Sequence, residues 1–149
     1  MRRNVRWMGA ALVVCGTVAS FALVQKLSHA QARPTGPWIN LRPPRVTAGI
    51  LPDAVNRFFN RNRRPLFECY QQQLTANPTA RALITARITV LAGGFAAVES
   101  LRVAPGNEAI ETCARSEFGR WQWPNPRNSP ASEIRLQIDL APTRPANAH

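Results

Sequence analysis

Few side chains in this sequence can support covalent chemistry. Three are cysteines. Cys15 lies in an apolar N-terminal run, and Val14 stands where lipidation would need a small residue, so it reads as apolar filler. Cys69 and Cys113 each fall on the apolar stripe of a different helical segment. In an exported chain an even pair meets oxidising conditions and is expected to bond. Joining them closes a loop of about 45 residues, worth roughly 4 kcal/mol in the chain-entropy model. The plainer alternative is two buried free thiols. Redox activity is disfavoured, because there is no Cys-x-x-Cys and no nearby His or Lys to hold a thiolate.

Other chemistries lack their parts. The two histidines, His29 and His149, lie near segment ends, which argues against His-dependent catalysis and a His-based metal site. Glu99, Glu108 and Glu117 show no paired-carboxylate spacing, and Ser100 and Ser116 have no general base beside them. We therefore expect no catalytic residue, no cofactor and no metal. Arg57, Arg61 and Arg64 form a stripe at helical spacing. It is a candidate face for phosphates or carboxylates, or simply a solvated surface. Trp121 and Trp123 have rings suited to sugar or peptide stacking. With the prolines that follow, they read more readily as a clamp at a helix-to-strand corner. Gly93-Gly94 fits a hairpin turn better than a phosphate cradle.

The chain has 149 residues and a formal charge of +11, from 19 Lys and Arg against 8 acids. Its start is cationic, with Arg2, Arg3 and Arg6, and residues 8–24 carry no charge. This is the pattern of an export signal or a single membrane anchor. Seventeen residues of helix span roughly 25 Å, against roughly 30 Å of hydrocarbon. Ala30-Gln31-Ala32 supplies a small-x-small cleavage pattern. Residues 1–32 are thus either a cleaved signal peptide or a retained transmembrane helix. Either alternative exports the remainder to the periplasm or cell envelope. From residue 33 onward 15 arginines face 8 acids, a net +7 with no lysine. That balance favours anionic surfaces, while export argues against intracellular nucleic acid.

Residues 33–48 hold four prolines and read as an extended spacer, and 141–149 as a frayed tail. One domain is expected over 49–140. Ile50, Leu51, Val55, Phe58, Phe59, Leu66 and Cys69 repeat at helical spacing, with a kink or break at Pro65. Ile84, Ala86, Ile88 and Val90 alternate as a half-buried strand. A turn at Ala92-Gly93-Gly94 leads into a second strand with Ala97, Leu101 and Val103 inward. Asn107 caps a second helix bearing Ile110, Cys113, Ala114, Phe118 and Trp121. In the last strand Ile134, Leu136, Ile138 and Leu140 alternate with Arg135, Gln137 and Asp139. The order is α-β-β-α-β. It gives an α+β fold, a small antiparallel three-stranded sheet with helices packed on one face.

Phe67-Glu68-Cys69-Tyr70, with Leu74 and Asn77-Pro78, resembles the helix end of the AgmX/PglI C-terminal domain family, in the TonB C-terminal-like group. Gly94 and Val98 resemble its strand-Gly-strand turn. Cys113 with Trp121-Gln122-Trp123-Pro124-Asn125-Pro126 resembles its Cys…Trp-x-Phe-Pro-x-Pro ending, Trp123 standing where Phe is usual. The resemblance covers about residues 50–140. It implies an envelope protein, often anchored by one N-terminal helix and without catalytic activity, sometimes part of gliding-motility machinery. It also implies uptake of a partner strand. The spacer is much shorter than that of a full TonB energy transducer.

The expected function is accordingly a non-enzymatic interaction module of the cell envelope. It would bind a protein partner, or a second copy, by strand addition along Ile134, Arg135, Leu136, Gln137, Ile138, Asp139 and Leu140. This last strand is expected to be a sheet edge. The alternative is a binder of an anionic envelope polymer through Arg57, Arg61 and Arg64.

Overall fold

A computed structural model describes residues 36–144. The uncharged run 8–24, the cleavage pattern at Ala30-Gln31-Ala32 and the last five residues of the expected tail lie outside the described residues. Among the described residues, no helix is long and apolar enough to cross a membrane.

The fold is α+β, with three helices and an antiparallel sheet of five strands among the described residues. β1 (Trp38–Leu41) and β2 (Arg45–Val46) come first. Helices α1 (Pro52–Asn62) and α2 (Arg64–Ala76) follow. A hairpin of β3 (Ala82–Leu91) and β4 (Ala96–Ala104) leads to α3 (Glu108–Arg120), and β5 (Ala131–Ala141) closes the chain. The strand order is β1-β5-β3-β4, with β2 also paired to β5.

The expected spacer is part of this sheet. β1 pairs with β5 from Trp38↔Ala141 to Leu41↔Ile138, and β2 pairs Arg45 with Arg135 and Val46 with Ile134. Proline density conceals a period-two pattern here. Ile39 is buried and Leu41 and Val46 pack against the core, while Pro43-Pro44 fall between the two short strands, where no ladder donor is needed. Arg42 locks the connection. Its backbone N–H donates to the carbonyl of Gln137 at 2.9 Å, and its guanidinium grips Asp139 through two bonds of 2.7 and 2.8 Å. The sheet therefore has five strands instead of three. The expected tail is corrected too, since Ala141 is the buried last residue of β5.

The kink or break expected at Pro65 is a break, giving two helices. Helix α1 stops at Asn62, whose side-chain amide donates to the carbonyl of Phe58 at 2.8 Å. Pro65 sits in the first turn of α2, where its missing N–H leaves no helical bond unmade. Asn107 caps α3 as expected, accepting the N–H of Ile110 on its side-chain oxygen at 3.0 Å. Its amide also donates to Gln73 of α2 at 3.3 Å, so one residue ends a loop and ties two helices.

Ile84, Ala86, Ile88, Val90, Leu101, Val103, Ile134, Leu136, Ile138 and Leu140 bury one face of the sheet. They share a core with Val55, Phe59, Leu66, Tyr70, Ile110, Ala114 and Phe118 from the helices. Ala97 is not inward. A register shift leaves Arg87 opposite Ser100 but Ile88 opposite Val98, so Glu99 is the extra residue of a β-bulge. Beyond it the parity flips. Ala96 and Val98 pack on the core and Ala97 faces solvent.

The hairpin tip is fastened to the segment after α3. Trp123 N–H donates to Gly94 O at 3.0 Å, Gly93 N–H to Asn125 Oδ1 at 2.9 Å, and the Gln122 amide to Gly93 O. Gly94 has φ +82°, and a Cβ there would lie 2.4 Å from Trp123 O. Cys69 and Cys113 form a disulfide between α2 and α3, their Cα atoms 6.5 Å apart.

Two stability predictions follow from these ties. Replacing both bonded cysteines by alanine should lower unfolding stability by about 3–4 kcal/mol in denaturant titrations, since the bridge spans 44 residues. Gly94→Ala should lower it by about 2 kcal/mol or more, because an alanine meets both an unfavourable φ and a backbone oxygen. Gly106→Ala, at a glycine with open space around it, provides the control.

Candidate functional site

Four regions hold the residues that the sequence singles out. The first is β5. It is paired along both sides, to β3 from Ala131 to Leu140 and to β1 and β2 on the other side. Ile134, Arg135, Leu136, Gln137, Ile138, Asp139 and Leu140 therefore present no open edge, which corrects the expectation. The alternation of residues 38–41 was the overlooked signal: an extra strand must pair somewhere, and β5 is where it pairs.

The sheet's long edge is β4. It is nine residues long and, among the described residues, pairs only with β3. The opposite edge is made of strands of four and two residues interrupted by Pro43-Pro44. Short, proline-broken edges resist strand pairing. The bulge at Glu99 bends one part of β4, while residues 100–104 stay in regular register. At the nearby hairpin tip Leu91 and Phe95 are exposed, Phe95 at 68%.

The arginine stripe is the third region. Arg57, Arg61 and Arg64 are all exposed. Arg61, Arg63 and Arg64 line an open cleft of about 620 Å³ with Trp38, Asn40, Asn60, Phe67 and Arg144, whereas Arg57 is not part of its wall. Two of these cations are already engaged. Arg64 Nε donates to Glu68 Oε1 at 2.9 Å, and Arg63 reaches the carbonyl of Ile39 at 3.2 Å.

The fourth region is the aromatic corner. Trp121 and Trp123 are buried, with ring centroids 5.0–6.3 Å from Phe58, Phe118 and each other. Trp123 Nε1–H donates to the carbonyl of Phe118 at 2.9 Å. These rings have no free face for a ligand; they close the turn from α3 into β5.

The Cys-Tyr and Asn-Pro positions are structural as well. The Tyr70 hydroxyl donates to Ala80 O at 2.6 Å, fixing the end of α2 to the start of β3. Asn77 Oδ1 accepts the backbone N–H and the hydroxyl of Thr79 and so shapes that turn. Burial pushes the Tyr70 phenol above its ordinary value of 10.0, partly opposed by the nearby Arg81 charge. Among the described residues, no group of three or more His, Cys, Asp and Glu side chains is placed to hold a metal ion.

No family model, curated protein or solved structure matches this chain.

Tyr70 is the sole tyrosine, so its titration can be read directly. Its phenolate absorbance should appear at higher pH in the folded protein than in denatured protein. A raised folded value means its contribution to stability is complete below about pH 10 and is lost as pH rises through the folded value. Tyr70→Phe should abolish that alkaline loss and, by removing the bond to Ala80, destabilise the domain by about 1 kcal/mol at neutral pH. Coincident titration of native and denatured protein would refute this assignment.

Proposed function

We propose that the domain is a non-enzymatic interaction module of the cell envelope that takes up an extended segment of a protein partner along the outer side of β4. The carrying observation is the sheet order, which leaves β4 as the one long strand paired on a single side among the described residues. Its free N–H and C=O groups supply main-chain affinity, and Leu91 and Phe95 offer apolar anchors beside them. The resemblance to the AgmX/PglI C-terminal domain supports strand uptake as the mode. The cationic and apolar N-terminal sequence supports an envelope location, periplasmic or anchored through residues 8–24. A disulfide is consistent with that oxidising setting. The same edge accommodates a second copy, giving a homodimer.

The second reading, an anionic-polymer binder through Arg57, Arg61 and Arg64, draws on the cleft beside Arg61. It is weaker, because Arg64 is committed to Glu68 and Arg57 stands outside the cleft.

A photo-crosslinking residue at Arg102 in β4 should capture a partner in envelope preparations, and the same residue at Arg57 should not. With the captured partner added, amide exchange along β4 should slow at least tenfold. Unchanged exchange along β4 in that complex would exclude strand addition.

A further inference from the structure

Among the described residues no helix covers the second face of the sheet, and that face has a charge arrangement that no single strand reveals. Arg45 of β2 stands directly opposite Arg135 of β5, and Arg135 directly opposite Arg87 of β3. Arg87 in turn faces Ser100 of β4, and Arg102, two residues on, lies diagonally beside it. Neighbouring strands are about 4.8 Å apart, so three guanidinium groups rise from one line roughly 10 Å long. All four arginines are exposed on the side away from the core.

Like charges directly opposite one another in a sheet destabilise it. Little compensates them here. Glu133 pairs with Arg135 at 2.6 Å, and Asp139 is occupied by Arg42. Glu99, at the bulge, makes no ion pair with any of these arginines, and Arg45, Arg87 and Arg102 form none among the described residues. The rest of this chain cannot supply the missing charge from a side chain, because all eight acidic residues lie within the described range.

We propose that this face is a binding surface for an acidic polysaccharide, a chain of sugars bearing carboxylates at regular intervals. Charge complementarity sets the polyanion. The side chains between the cations set the sugar: Thr85, Thr89, Ser100 and Gln137 share the face and offer hydroxyl and amide groups to sugar hydroxyls. Single-stranded nucleic acid is disfavoured, because its bases need aromatic platforms and these rows contain none. Trp38, the aromatic residue of β1 on this face, is half-buried opposite Ala141, beyond the arginine rows. The surface meets β4 at Arg102 but is centred on Arg45, Arg135 and Arg87, and does not depend on strand uptake along the edge of β4.

The test uses the full-length protein and polygalacturonate as probe, followed by calorimetry at low salt. The wild type should bind, should bind less tightly as salt rises, and should ignore the fully methyl-esterified polymer. The R45Q/R87Q/R102Q variant should lose at least tenfold in affinity, while R57Q/R61Q/R64Q stays within twofold of wild type. Removing opposed like charges should also raise the melting temperature of the first variant, so lost binding could not be ascribed to unfolding. Arg87→Gln alone, at the centre of the line, should give an intermediate loss. The proposal is overturned if polygalacturonate does not bind, if the sheet variant binds like wild type, or if the helix variant carries the loss. Tighter binding of a single-stranded oligonucleotide than of polygalacturonate would overturn it as well.

Discussion

Everything in this domain is arranged around the double pairing of β5. A strand bonded on both sides has its backbone groups satisfied along the ladder and a fixed register with each neighbour. Its inward residues Ile134, Leu136, Ile138 and Leu140 can then form the floor on which the helices pack. The grip of Arg42 on Asp139 and on the Gln137 carbonyl secures the side that short β1 and β2 would hold only weakly. Because β5 is internal, the long edge is β4, and the face that no described helix covers acquires its arginines from four strands, β2, β3, β4 and β5.

The motif residues serve that framework more than they serve chemistry. Cys69 and Cys113 staple α2 to α3, Asn107 bridges the same helices, and Tyr70 pins the end of α2 to the strand that follows. Trp121, Trp123 and Gly94 close the remaining corner against the hairpin. A small domain of this kind has a modest core, and such discrete ties carry a correspondingly large share of its stability.

Local signals in the sequence were legible where they were local in cause. The Asn107 cap, the alternation of 84–90 and of 133–140, and the Gly93-Gly94 turn each arise from neighbouring residues, and the structure contains them. The Pro65 interruption was visible, and the structure takes it as a break between a helix ending at Asn62 and one starting at Arg64. What escaped was non-local. Proline density at 33–48 outweighed the four-residue alternation that makes β1. The bulge at Glu99, which turns Ala97 outward, is set by the pairing of β3 with β4 and has no signature within either strand. The opposed Arg45, Arg135 and Arg87 exist as a group only once the register is known.

The placement of β1 has a mechanical corollary. Its first residue, Trp38, sits opposite Ala141, the last residue of β5, so the chain enters and leaves the sheet at the same corner. Tension applied between those two points would open the ladder like a zip, one rung at a time from Trp38 inward, and would never load the rungs together. The first rungs to part would be those that hide Leu140 and Ile138, and the grip of Arg42 on Asp139 lies in the path of that opening. Under load, this corner would yield before the disulfide-bound helices.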